Sequence, residues 1–157
     1  MRPLIKQEPV KIEIGTFKTV EDLREALDVC NYHVSREAAE LFSRLTLSSK
    51  PTILNLGAAT NADLGYPDRC TIGQSFAAIA ALGGVRLPAE IGPQFRLQYP
   101  GQPDGELRLF YMDPLNNFGG DPDVFYVENC LGDQWLSAHC ADLQTIMFGH
   151  RVWMFGL

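Results

Sequence analysis

Phe95-Arg-Leu-Gln-Tyr-Pro-Gly-Gln-Pro-Asp-Gly-Glu-Leu-Arg-Leu-Phe-Tyr111 is the stretch on which the reading of the fold turns. Phe95, Leu97 and Tyr99 alternate with Arg96 and Gln98, and Leu107, Leu109 and Tyr111 alternate with Arg108 and Phe110, the period of two that marks strands. Pro100 to Gly105 supply turn-forming residues between the two runs, so the pattern predicts a β-hairpin. A further strand is expected at Val124-Phe-Tyr-Val127 and a last one at Arg151–Phe155, with a helix over Ser137–Phe148 between them.

Upstream of this stretch the grammar is mostly helical. Val10, Ile12 and Ile14 alternate with Lys11 and Glu13 as one early strand. Thr19 with Asp22 opens a helix carrying Val20, Leu23, Ala26 and Leu27, and Ser35 caps a second carrying Ala38, Leu41, Phe42 and Leu45. Thr52–Leu56 reads as a short buried strand, Gly57–Arg69 as an irregular loop, and Cys70–Leu82 as a slim, alanine-rich helix stopped by Gly83-Gly84. Helices early, strands late and no βαβ alternation predict one α+β domain over residues 1–157, with an N-terminal strand and helices packed on one face of a mainly antiparallel sheet from the C-terminal half.

Composition narrows the classes of function. The chain has 157 residues, 46% apolar and 20% charged, which fits a folded domain rather than a disordered chain. No apolar run approaches a membrane span, and Lys6, Glu8, Lys11 and Glu13 interrupt the N-terminal stretch where an export signal needs an apolar core. The expected location is cytoplasmic, with Cys30, Cys70, Cys130 and Cys140 as reduced thiols. Residues 1–96 hold 11 basic and 11 acidic side chains, so the whole net charge of -6 lies beyond Arg96. A chain with no Lys/Arg cluster lacks the footprint of a phosphate-backbone binder, so nucleic acid is not an expected partner.

Cys70 is the candidate nucleophile. At the start of a predicted helix and beside Arg69, it stands where amide dipoles and a cation favour a thiolate. Asp68-Arg-Cys70-Thr71, then Leu87-Pro88, Glu106-Leu107 and Asp123-Val-Phe-Tyr-Val127, together about a third of the chain, resemble papain-like bacterial cell-wall peptidases. In that family a Cys opens a helix, a Leu-Pro pair follows, and a His begins a later strand. The resemblance implies a cysteine hydrolase or transferase, but the position of the family's His is held by Asp123 and the Leu-Pro pair lies farther on than usual. His139 is the remaining candidate base.

Three weaker signals complete the reading. Asp113, Asn116, Asn117, Asp121 and Asp123 put oxygen donors in a glycine-bearing loop, yet the twelve-residue calcium pattern is absent, so no metal and no cofactor is expected. Gly57–Gly65 lacks both glycine-rich phosphate motifs and reads as a connection. Aromatic residues crowd the chain from Phe95 onward, and the adjacent pairs Phe110-Tyr111 and Phe125-Tyr126 must point one ring to each side of a strand. Tyr111, Tyr126 and Trp135 are therefore the candidate ligand-binding residues. The leading expectation is a non-enzymatic binding module that pairs with a second copy through its aromatic sheet and terminal Val152–Phe155. The alternatives are an enzyme built on Cys70, a small-molecule binder, or an acidic surface that engages a basic protein.

Overall fold

The computed structural model describes residues 9–157; Lys6 and Glu8, used above against an export signal, lie outside the described residues. The fold is α+β. Strand β1 (Val10–Ile14), helix α1 (Val20–Val29), the short β2 (His33–Val34), α2 (Arg36–Phe42) and β3 (Thr52–Thr60) make the first part. Then come β4 (Arg69–Thr71), α3 (Ile72–Ala81), α4 (Ile91–Gln98), β5 (Leu107–Phe110), β6 (Leu115–Asn116), β7 (Pro122–Cys130), β8 (Asp133–Cys140), β9 (Ile146–Phe148) and β10 (Val152–Gly156). Caps behave as their residues demand. Thr19 Oγ1 accepts the Asp22 amide at 3.1 Å, Ser35 Oγ accepts the Ala38 amide at 3.1 Å, and Thr71 with Gln74 closes a reciprocal capping box on α3.

The main sheet runs β1-β3-β10-β5-β7-β8-β2, with β6 added on β7, while β4 and β9 form a separate ladder. It is mixed: most neighbouring strands run antiparallel, as expected, but β10 lies parallel to β5 and β2 parallel to β8. Helix α4 touches β1 at one end of this path and β7 and β8 towards the other, so the sheet curls around it. Alternation along β10 shows the two sides: Met154 registers with Phe110, which meets Phe95 of α4, whereas Trp153 meets Phe76 of α3. Helices therefore lie on both faces, not one, with α4 inside the curl and α3 outside. Val152–Phe155, expected at a self-association surface, is instead an interior strand whose Trp153 and Met154 are fully buried.

Two sequence expectations fail for identifiable reasons. Phe95–Tyr99 is not a strand: Phe95–Gln98 is the second half of α4 and Tyr99 its C-cap, and no hairpin joins it to β5. A helix buried along most of its length shows no amphipathic stripe, and here Ile91, Phe95 and Arg96 are all buried. Its polar side chains do the work of backbone partners. Glu90 Oε2 accepts the Gly15 amide at 2.7 Å and Oε1 the Ser48 amide at 2.8 Å, while the Gln98 amide both donates to Glu13 O at 2.8 Å and accepts from Glu13 N at 2.9 Å. Gln98 thereby occupies backbone groups of β1 that would otherwise stand open on an edge strand.

Ser137–Phe148 is likewise not a helix; it is divided between β8, a loop and β9. The β7–β8 hairpin turns on Leu131 (φ 53°) and Gly132 (φ 89°), closed by the pair Cys130 and Asp133. Two left-handed residues make the tight turn that suits strand twist, and Leu in the first of them hid the signal. Among the described residues no helix is long and apolar enough to cross a membrane.

Candidate functional site

The five residues singled out from sequence fall into three places. Cys70 lies in β4, before the helix and not at its N-terminus, since Thr71 is the cap of α3. Its thiol is buried, and Sγ meets Ser75 Oγ at 3.2 Å. That hydroxyl donates to Asn61 Oδ1 at 2.7 Å, which also accepts the Trp153 indole N–H at 3.1 Å, and Asn61 Nδ2 donates to Phe148 O at 2.9 Å. The chain of bonds ties β3, α3, β9 and β10 together. It holds no imidazole and no carboxylate, so it offers the thiol no base. Tyr111 is buried under α3, packed on Phe76 at 4.9 Å.

Tyr126, Trp135 and His139 do come together. In the β7–β8 register Val124 faces His139, Tyr126 faces Ser137 and Glu128 faces Trp135, so these side chains share the outer face of the sheet. Tyr126 and His139 meet edge to face, their rings 6.4 Å apart. The parallel pairing of β2 sets His33 beside Trp135, and the two rings stack at 4.7 Å with 25° between their planes. His33 Nε2 also lies 3.6 Å from Asp133 Oδ1. His139 Nδ1 sits 2.7 Å from Cys140 O, which fixes the proton on Nδ1 because a carbonyl only accepts.

The inner face of the same strands is filled: Phe125 is sealed against Gly92 of α4 and Phe42 of α2. Helix α3 covers the outer side near β10. Tyr126, Trp135, His139 and Glu128 remain partly open, and His33 is exposed. A half-open sheet face with aromatic rings suits stacking, the mode by which some sheets hold bases. Here the charged neighbours are Glu128 and Asp133, which would repel a phosphate backbone. The arrangement offers flat apolar rings, indole N–H and phenol O–H donors and carboxylate acceptors, but no activated nucleophile.

The loop Asp113–Asp123 ends against this region. Asp123 is buried, and burial above all pushes its carboxyl up from the usual 3.8; the Asn117 hydrogen bond lowers it, Asp121 and Glu40 raise it further, and His139 lowers it. A raised carboxyl binds its proton more readily when folded, so its ionisation costs stability, and that cost is absent below the unfolded pKa and complete above the folded one. Asp123→Asn is therefore expected to raise the thermal midpoint at pH 7, with the gain shrinking as the pH falls through the raised folded value towards the ordinary aspartate value and gone below it. Calorimetric melts of both proteins from pH 3 to 7 check this. Among the described residues no group of three or more His, Cys, Asp or Glu side chains is placed to hold a metal ion.

Sequence reasoning missed His33 and Glu128, whose membership of the face depends on strand pairings. Comparison with protein-family models, with curated proteins and with solved structures gives no match for this chain. The geometry alone carries the functional reading.

Proposed function

We propose that this protein is a non-enzymatic binding module whose recognition surface is the outer face of β7, β8 and β2, and that the partner seated there is a second copy of the chain. The observation that supports this is the gathering of Tyr126, Glu128, Asp133, Trp135 and His139 on one half-open face, with His33 stacked on Trp135. A two-fold axis brings a patch against itself, so the patch must be its own complement. This one carries donors (the indole and the phenol) as well as acceptors (Glu128 and Asp133), around rings that lose water readily. A patch of one charge alone would repel its copy.

Sedimentation velocity over a concentration series tests the reading. The native chain is expected to sediment as a dimer. Trp135→Ala is expected to raise the dissociation constant about 30-fold, the effect of losing about 2 kcal/mol at an interface anchor. Glu128→Lys, which leaves the rings untouched, should weaken the dimer as well. A native chain that remains monomeric at its highest soluble concentration sinks the second copy as partner. If such a monomer instead binds basic peptides in a salt-sensitive way, the acidic-surface reading takes its place.

A further inference from the structure

A different cleft lies on the α3 side, beside the Asp113–Asp123 loop. It is about 580 Å³ and is lined by Phe76, Arg86, Pro114, Pro122, Asp142 and Leu143, among others. That volume falls within the ~300–1,000 Å³ usual for small-molecule sites. Its walls are apolar except for Arg86, Asp142 and Gln144, and each of the two charged groups has unused hydrogen-bonding capacity.

Arg86 is held in place from within. Its guanidinium lies 5.2 Å from the centre of the Phe76 ring and 5.1 Å from that of Tyr111, contacts that fix the plane of the fork. Nη1 donates to Asp113 Oδ1 at 2.8 Å. That carboxylate is 87% exposed, so water screens the pair and it is weak. Nε and Nη2, the edge that presents two parallel N–H donors, have no protein acceptor among the described residues. Asp142 uses Oδ1 to accept the Gln144 amide at 2.9 Å, and its Oδ2 has no protein donor among the described residues.

We infer that this cleft binds a free α-amino acid with an apolar side chain. The Nε/Nη2 edge of Arg86 takes the carboxylate in two parallel bonds, the geometry in which arginine binds that group best. Asp142 Oδ2 takes the ammonium. Phe76, Pro114, Pro122 and Leu143 bury the side chain. A plain apolar acid would leave Asp142 facing an anion, and a plain amine would leave the arginine edge unused; the zwitterion answers both. Tyr111 acts from beneath, as a positioning residue for Arg86 without contact to the ligand.

Isothermal titration of the whole protein with L-phenylalanine and L-leucine tests this, with 3-phenylpropionate and 2-phenylethylamine as analogues lacking one charge. Saturable heat is expected from the amino acids, with both analogues at least about tenfold weaker. Arg86→Gln should weaken phenylalanine by a similar factor, and Arg86→Lys should not restore it, because lysine lacks the fork. Asp142→Asn should weaken phenylalanine while leaving 3-phenylpropionate unchanged or tighter. Thermal midpoints of the three variants, measured alongside, separate loss of binding from loss of fold. The inference is overturned if no amino acid gives saturable heat, if either analogue binds as tightly as phenylalanine, or if folded Arg86→Gln and Asp142→Asn both bind like the native chain.

Discussion

Arg96→Ala is expected to cost about 3–5 kcal/mol of folding free energy, read as a fall in the urea midpoint with little change in slope. Arg96 is fully buried, yet among the described residues no carboxylate is one of its hydrogen-bond partners. Glu106, the carboxylate whose charge acts on Arg96, is taken by Arg108, whose Nε donates to Glu106 Oε1 at 2.6 Å. Arg96 instead donates to oxygens of neutral groups: Gln102 Oε1 at 2.6 Å, Tyr99 O at 2.8 Å, Trp135 O at 3.3 Å, Glu128 O at 3.5 Å and Gln134 Oε1. Its plane also lies 5.1 Å from the Tyr32 ring. One side chain thus joins α4, the segment after it, β7 and β8.

That cage tolerates the charge without neutralising it. Burial pulls the guanidinium down to about 10, and Tyr32, Tyr99 and Glu106 oppose only part of the shift. Truncation removes the donors and leaves their acceptors dry, and stranded acceptors account for most of the expected loss. Arg96→Met keeps much of the stem's packing and removes a buried charge, so it should recover part of the loss. A native-like urea midpoint for Arg96→Ala would show that water or rearranged amides satisfy those oxygens. For a domain whose whole stability lies in the ~5–15 kcal/mol range, the predicted loss separates a folded protein from a marginal one.

The same arginine shows why the sequence misled. In Phe95–Tyr99 the charged and amide side chains mimic the outward residues of a strand, but Arg96 points into the core and Gln98 pairs with the backbone of β1. Periodicity reports which residues avoid water only when polar residues face water. Where they replace backbone partners inside the core, the pattern loses its meaning. Strand β1 and helices α1 and α2 were legible because each has a solvent side or a cap coded by neighbouring residues, and β10 because it is a short, almost wholly apolar run. The course of β8 was not, since its tight turn rests on Leu131 in a left-handed conformation.

The candidate face was legible in half. Tyr126 follows from its adjacency to Phe125, because one of two neighbouring strand residues must point outward. His33 enters only through the pairing of β2 with β8, and Glu128 only through the β7–β8 register. Arg86 and Asp142 likewise line one cleft from segments that nothing local connects. Residues whose role depends on long-range pairing leave no local pattern, whereas Cys70 stood out through local context and proved to be a strand residue bonded to Ser75.

Gly92→Ala is the second large effect, and its sign runs against propensity. Inside an exposed helix this change stabilises by up to about 1 kcal/mol. Here a Cβ would lie 2.6 Å from Phe125 Cγ and 2.7 Å from Phe125 Cβ, closer than non-bonded carbons approach. Phe125 cannot retreat: it is fully buried and its ring packs edge to face on Phe42 at 6.2 Å. Nor can α4 shift outward, since Glu90, Arg96 and Gln98 bind it to three different parts of the chain. Overpacking without an exit costs about 3 kcal/mol, which lowers the thermal midpoint by about 10 °C in a chain of this size. Adding Phe125→Leu to Gly92→Ala should make the double variant more stable than the sum of the two single losses, because the smaller side chain vacates the space the new methyl needs. An unshifted midpoint for Gly92→Ala, or strict additivity in the double variant, would mean that α4 and β7 do not meet at this glycine and that the curl of the sheet around α4 is looser than described.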